Sequence, residues 1–172
     1  HLNDIIRGEG GNDTITGGTG HDVFYDTGDL GAGTDVYNGG NGFDQFWAGS
    51  ETGAPGNDTF NGGLHGDTIL YTEALAPITV TISGVNVPDA DADGTVTGTN
   101  VGTDTFTSVG GFVLGAGADT ASVTAGLNLE LSWNGRQGND TITGGTVGKD
   151  TYWYHIINDA AGNPIATNDA GN

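Results

Sequence analysis

The stretch GEGGNDTITGGTGHDVFY, residues 8–25, sets glycines at 8, 10, 11, 17, 18 and 20 ahead of Asp13 and Asp22, and places Ile15 and Phe24 two residues after those aspartates. Its two halves are one nine-residue phrase written twice. Followed along the chain, an aspartate with a large apolar residue two positions later recurs at Asp4, Asp13, Asp22, Asp35, Asp44, Asp58 and Asp67, at spacings of 9, 9, 13, 9, 14 and 9. The two longer intervals are a nonapeptide plus an insertion, at residues 26–29 and 48–52. A period this regular marks a repeat architecture, and it governs every later reading of the chain.

Written as GGxGxDxUx, with U a large apolar residue, the copies are GEGGNDTIT, GGTGHDVFY, LGAGTDVYN, GGNGFDQFW, GAPGNDTFN and GGLHGDTIL. The eighth position holds Ile6, Ile15, Phe24, Tyr37, Phe46, Phe60 and Ile69. Three residues with an apolar centre make a short strand with one inward side chain. The six before them are rich in glycine, which supplies the positive φ angles of a tight turn. Two such units close an eighteen-residue coil, and stacked coils bury the eighth-position side chains in a thin continuous core. Alternate repeats then fall on opposite sides. One column is expected to hold Asp4, Asp22, Asp44 and Asp67, the other Asp13, Asp35 and Asp58.

The composition agrees with a core that needs help. Glycine contributes 34 of 172 residues, and 3 Lys and Arg stand against 22 Asp and Glu, a formal charge of −19. Such a surface repels nucleic acid and anionic membranes and attracts cations. There is no cysteine, so neither disulfides nor thiolate metal sites can staple the fold. No apolar run has transmembrane length and no signal peptide opens the chain. The chain begins at His1 in mid-pattern, so a piece of a larger protein is expected.

Stacked parallel strands repeat at about 4.8 Å, so carboxylates in one column repel by roughly 1 kcal/mol per adjacent pair in water and about 3 to 4 kcal/mol at an effective dielectric of 20. A hard divalent cation reverses the sign. Two stacked turns offer carboxylates and main-chain carbonyls, the oxygen-only set that calcium takes six to eight of, whereas magnesium demands a stricter octahedron and transition metals want clustered His or Cys. Several calcium ions are therefore expected, each contributing about 1.4 kcal/mol when free calcium is tenfold above the dissociation constant.

The repeats resemble the RTX (repeats-in-toxin, haemolysin-type) calcium-binding family over residues 3–70 and again over 135–153, where GRQGNDTIT and GGTVGKDTYW return with one extra residue. The resemblance implies an all-β fold, a right-handed parallel β-roll or β-solenoid. It also implies type I export from a Gram-negative bacterium and folding on contact with external calcium. The expected metal positions are Asp4; Gly8, Gly10, Gly11 and Asp13; Gly17, Gly18, Gly20 and Asp22; Gly31, Gly33 and Asp35; Gly39, Gly40, Gly42 and Asp44; Gly53, Gly56 and Asp58; and Gly62, Gly63 and Asp67. In the later segments they are Asp119, Gly135, Gly138, Asp140, Gly144 and Asp150. Glu9 and Arg136 replace the second glycine, Leu30 the first and His65 the fourth, while Asp4 heads a truncated turn.

The expected organisation is a repeat block over 1–70, degenerate rungs with a protruding acidic loop over 71–134, a second block and cap over 135–157, and a polar tail over 158–172. ITVTIS, residues 78–83, alternates as a strand, and Asp104 and Asp119 head degenerate half-motifs. The acidic run DADADG, residues 89–94, reads as a loop tip. It opens like an EF-hand loop, but Asn100 stands at the twelfth position where that loop needs glutamate, so an acidic turn or a calcium site of other form is expected.

No catalytic constellation emerges. His1, His21, His65 and His155 are scattered, the serines lack a nucleophile-elbow context, and carboxylates are too common for any glycosidase pair to be specific. The expected role is a non-catalytic, structural calcium module whose partners are calcium and other domains of a secreted parent protein. The alternative is an adhesin, surface-layer or carbohydrate-recognition module, in which Trp47, Trp133, Trp153, Tyr25, Tyr152 and Tyr154 contact a polysaccharide or cell-surface ligand rather than cap the thin core. A threonine row of the ice-binding kind is interrupted at Val23, Val36 and Gln45.

Overall fold

The computed structural model describes residues 2–26, 33–49, 55–144 and the strand at 151–153. Its strands are, in chain order, β1 (Ile5–Arg7), β2 (Thr14–Thr19), β3 (Val23–Asp26), β4 (Val36–Asn41), β5 (Gln45–Ala48), β6 (Thr59–Leu64), β7 (Thr68–Leu70), β8 (Ile78–Asn86), β9 (Asp91–Gly98), β10 (Gly102–Val109), β11 (Gly111–Val113), β12 (Thr120–Val123), β13 (Ser132–Asn134), β14 (Thr141–Thr143) and β15 (Thr151–Trp153). The described chain is all-β, in mixed parallel and antiparallel sheets.

Each repeat contributes a strand just after its aspartate, and successive strands from β1 to β7 fall alternately in two sheets. The first sheet runs β1-β3-β5-β7-β11-β13-β15 and the second β14-β12-β8-β9-β10-β6-β4-β2. The first is parallel throughout. Registers follow the nonapeptide: Ile6 pairs with Phe24, Phe24 with Phe46 and Phe46 with Ile69 in one sheet, while Ile15 pairs with Tyr37 and Tyr37 with Phe60 in the other. In β2, β4 and β6 the strand outruns the expected three residues and carries on through the glycine pair, with Gly18 opposite Gly40 and Gly40 opposite Gly63. Absence of Cβ atoms lets these backbones lie close: a Cβ on Gly40 would strike the Gly18 carbonyl, and one on Gly63 that of Gly40.

The core is a double ladder of eighth-position side chains. Phe24 stacks on Phe46 at 5.0 Å and Tyr37 on Phe60 at 5.6 Å. Trp133, one of the aromatics weighed above as a surface contact, is buried and stacks on Phe112 at 4.8 Å. Tyr25 and Trp47 stack on the outer face at 5.6 Å with the Arg7 guanidinium over Tyr25. Tyr154 and the tail at 158–172 lie outside the described residues, as do the insertion residues 27–29 and 50–52.

Between β7 and β11 the alternation is broken by an antiparallel meander. β9 lies between β8 and β10 and pairs antiparallel with both, β8 continues parallel to β12, and β10 continues parallel to β6. ITVTIS is part of β8, with Ile78, Val80 and Ile82 buried. The acidic run read above as a loop tip lies only partly in a turn: Asp89 and Ala90 are in the turn, and Asp91–Gly94 open β9. Strand wins there because Ala92 and Val96 enter the core and β9 finds backbone partners on both edges.

Candidate metal centre

The aspartates form files along the stack, in the expected order, and hydrogen bonding accounts for nearly every polar atom they carry. In the first file Asp22 Oδ1 accepts the Asp4 N–H at 2.8 Å, Asp44 Oδ1 the Asp22 N–H at 2.8 Å and Asp67 Oδ1 the Asp44 N–H at 2.7 Å. In the second, Asp35 Oδ1 accepts from Asp13 at 2.7 Å, Asp58 Oδ1 from Asp35 at 2.8 Å and Asp104 Oδ1 from Asp58 at 3.0 Å. Main-chain carbonyls of the same aspartates accept the following rung's strand N–H, as Asp22 O does from Gln45 and Asp44 O from Thr68. In the first file one atom per buried residue remains, the Oδ2, whereas in the second the Tyr37 hydroxyl lies 3.2 Å from Asp35 Oδ2 and Tyr71 donates to Asp104 Oδ2.

The Oδ2 atoms of Asp13, Asp22, Asp44, Asp67 and Asp91 are buried without a hydrogen-bond partner among the described residues. Each of the three central ones aims at the first glycine of its own turn: a Cβ on Gly17, Gly39 or Gly62 would collide with the Oδ2 of Asp22, Asp44 or Asp67. The Gly62 carbonyl also lies within 2.6 Å of where a Gly39 Cβ would be. Glycine is thus required here by the carboxylate and carbonyl oxygens that converge on the turn. A buried anionic oxygen with no donor is costly, and burial pushes the carboxyls upward: Asp44, Asp58 and Asp119 rise, Asp91 and Asp140 reach about 6, and Asp67, also facing the charges of Asp44, Asp91 and Asp89, reaches about 8.

Fit to a hard cation follows from this donor set. Orphaned carboxylate oxygens beside main-chain carbonyls form an oxygen donor set, which suits calcium. Among the described residues no group of three or more His, Cys, Asp or Glu side chains gathers that could hold a metal ion by itself, so main-chain carbonyls would have to complete any such site. Four copies of the RTX calcium-binding nonapeptide repeat model match the chain, over residues 2–25, 29–50, 52–71 and 134–146. The chain belongs to the RTX calcium-binding repeat family. It is a calcium-binding RTX module, and repeats of this haemolysin type are structural rather than catalytic. No individual curated protein matches it. Among the described residues no helix is long and apolar enough to cross a membrane.

Within this RTX frame the expected positions separate. Asp4 is exposed and offers its N–H to the first file. Gly11, Gly33 and Gly56 line the second file, where a Cβ on Gly33 or Gly56 would strike the preceding glycine carbonyl; in the first file a Cβ on Gly42 would strike the Gly20 carbonyl and one on Gly20 that of Leu2. Gly8 sits 3.3 Å from Asp13 Oδ2 by the same measure, and Gly10 lies in the exposed bend before Asp13. In the later block Asp119 N–H donates to Asp140 Oδ1 at 2.9 Å, Asp119 Oδ1 accepts from Ile78, Gly135 backs Asp140 Oδ2 and Gly138 crowds the Gly117 carbonyl. Gly144 follows β14. Gly31, Gly53 and Asp150 lie outside the described residues. The degenerate turns keep the required backbone: Glu9 and Arg136 take φ of 61° and 55° at the second-glycine position, and His65 takes 80° at the fourth. Left-handed geometry there costs a non-glycine residue about 1 to 2 kcal/mol.

Three buried aspartates of this region are missing from the sequence-derived set. Asp104 fills the second file above Asp58, and its D-x-F spacing was the available signal. Asp26 accepts the Tyr37 hydroxyl at 2.9 Å. Asp91 comes from the meander; the acidic run 89–94 around it was the signal for a calcium site, though not for one joined to the file.

Proposed function

We propose that calcium drives this RTX module from coil into a closed right-handed parallel β-roll, outside the cell and as the structural, stabilising part of a larger secreted protein. The single observation that carries the proposal is the set of buried, partnerless Oδ2 atoms at Asp22, Asp44 and Asp67. Alternation of successive strands between two parallel-paired sheets supports the roll. The ligands would be those Oδ2 atoms, with Asp13, Asp35, Asp58, Asp119 and Asp140 in equivalent places, together with carbonyls of the turn glycines. In this reading residues 1–70 and 135–157 are the repeat blocks joined through 71–134, with 158–172 a polar tail. Its partners are calcium ions and neighbouring domains of the parent protein.

Folding and binding are then one event, because the carboxylate files oppose the fold until a cation enters. Far-UV circular dichroism of the whole chain during a calcium titration tests this. Chelated protein should be mostly coil, calcium should raise β-structure cooperatively, and magnesium at equal concentration should not. A chain fully folded in excess chelator would overturn the proposal. A second reading, recognition of a polysaccharide or cell-surface ligand, is favoured by one feature: the exposed ladder in which His21 stacks on Phe43 at 5.4 Å and Phe43 on His65 at 5.6 Å.

A further inference from the structure

The first aspartate file stops having a successor at Asp67. The rung above it joins β10 to β11, and it is too short to hold a complete turn. Asn61 pairs with Thr107 and Thr68 with Gly111, so seven steps of chain in one rung face four in the next. Gly110, opposite Asp67, therefore stands where an aspartate belongs. It keeps the backbone part of the pattern, since Gly110 N–H and Gly111 N–H both donate to Asp67 O at 3.0 Å. Ser108, opposite Gly62, turns its carbonyl onto that glycine with a φ of 55°. What the rung lacks is the carboxylate.

The β8–β9 hairpin brings one. A Cβ on Gly110 would come within 3.0 Å of Asp91 Oδ1, so the Asp91 carboxylate occupies the space into which an aspartate at 110 would extend. Two further aspartates fix the hairpin there. Asp89 Oδ2 accepts the His65 N–H at 2.7 Å and Asp93 Oδ1 accepts the Ser108 N–H at 3.0 Å. Asp67 is 0% and Asp91 7% exposed, and the Oδ2 atom of each is buried with no partner among the described residues. A cavity of about 390 Å³, lined in part by Gly63, Leu64, Asp89, Asp91 and Ser108, opens beside them.

We propose that Asp91 supplies in trans of the repeat the carboxylate missing at Gly110, so that Asp67 and Asp91 together hold a calcium ion and bind the hairpin to the end of the first file. The inference rests on the calcium reading above and adds a site outside the nonapeptide pattern. It makes docking of the meander calcium-dependent. Two buried carboxylates that meet at one turn position need a cation or a shared proton, and the neighbouring carbonyls of the truncated turn favour the cation.

The test is calcium bound per chain at saturation, by equilibrium dialysis, for the whole protein and its Asp91→Asn and Asp93→Asn variants, with amide hydrogen exchange over residues 84–91. Asparagine at 91 is isosteric and removes a buried charge, so it does not threaten the fold. Asp91→Asn should bind one ion fewer, still gain β-structure with calcium, and exchange its hairpin amides about tenfold faster. Asp93→Asn keeps an acceptor for Ser108 and should keep the ion. Unchanged stoichiometry and protection in Asp91→Asn would overturn the assignment, as would equal loss in Asp93→Asn. If the unaltered chain binds no calcium and gains no strand, the calcium reading itself falls; if it does both and Asp91→Asn matches it, only this site falls.

Discussion

The two aspartate files share one backbone pattern and differ in what meets the Oδ2 atoms. In the Asp22, Asp44, Asp67 file the core residues of the same repeats are Phe24, Phe46 and Ile69, which have no polar atom to offer, and the three Oδ2 atoms have no partner among the described residues. In the second file Asp13 Oδ2 is likewise without a partner among the described residues, but further along, at Asp35 and Asp104, the core holds hydroxyls. Tyr37 donates toward Asp26 Oδ1 at 2.9 Å and lies 3.2 Å from Asp35 Oδ2, and Tyr71 donates to Asp104 Oδ2 at 2.8 Å. Burial and those carboxylates hold both phenols far above their ordinary range, so they stay donors. Turns of one plan thus make sites of unequal need: the first file must recruit counter-charge at Asp22, Asp44 and Asp67, while the second partly satisfies itself at Asp35 and Asp104.

The sharpest way to break this comparison is to remove one charge from each file. Asp44→Asn keeps the Oδ1 acceptor for Asp22 N–H and deletes the partnerless anionic oxygen. It should raise the calcium concentration for half-folding about a hundredfold, or about 3 kcal/mol, the scale of losing one member of a buried charge pair. Asp35→Asn should shift it by about threefold or less. Equal midpoints in parallel calcium titrations would mean that the files do not differ.

Proton titration gives a smaller effect of defined sign. In the calcium-free fold Asp67 holds its proton up to about 8 and Asp91 and Asp140 up to about 6, whereas unfolded aspartate releases its own near pH 3.9. The folded state therefore binds more protons across that interval. Its stability is full below about pH 4 and is lost as pH rises through 6 to 8. In excess chelator, circular dichroism should show more β-structure at pH 5 than at pH 8, and calcium should bind more weakly at pH 5 because protons compete for the same oxygens. More structure at pH 8 in chelator would contradict the burial of these carboxyls.

The smallest effect is expected at Tyr37. Tyr37→Phe removes the hydroxyl from Asp26 and Asp35 while keeping the stack on Phe60, so thermal melts in saturating calcium should show a loss of about 1 kcal/mol. The informative result is the accompanying titration: with its donor gone, the second file should respond more strongly to Asp35→Asn, and the two files should converge.

Much of this was legible before any coordinates. Asp13, Asp22, Asp35, Asp44, Asp58 and Asp67 announce themselves by a period of nine, and the period also assigns each to its file, because stacking every second repeat is the way a short apolar strand can cover its neighbour. Ile69 and Phe46 are core for the same reason. Asp104 was half visible in its D-x-F spacing, though the degenerate glycines around it weakened the signal. Asp91 was visible only within the acidic run 89–94, as a turn or a separate calcium site and not as a member of a file, and Asp26 was not visible at all; they reach the files through a hairpin and a strand end rather than through a turn. Trp133 was read as a cap on the thin core, with ligand contact the alternative, and its register opposite Phe112 put it within the core itself.

What the chain's order of residues determined by itself is the local chemistry: where backbone can turn left-handed, where one apolar side chain points inward, and which carboxylates share a column. Those are properties of nine neighbouring residues, and a repeat prints them many times over. Tertiary structure alone decided which oxygens are left wanting. That depends on whether a core residue one rung away ends in a hydroxyl, and on a meander arriving where a turn is three residues short. Hydrogen-bond satisfaction is settled by atoms brought within about 3 Å of one another, and for Asp67 and Asp91 those atoms are far apart in sequence.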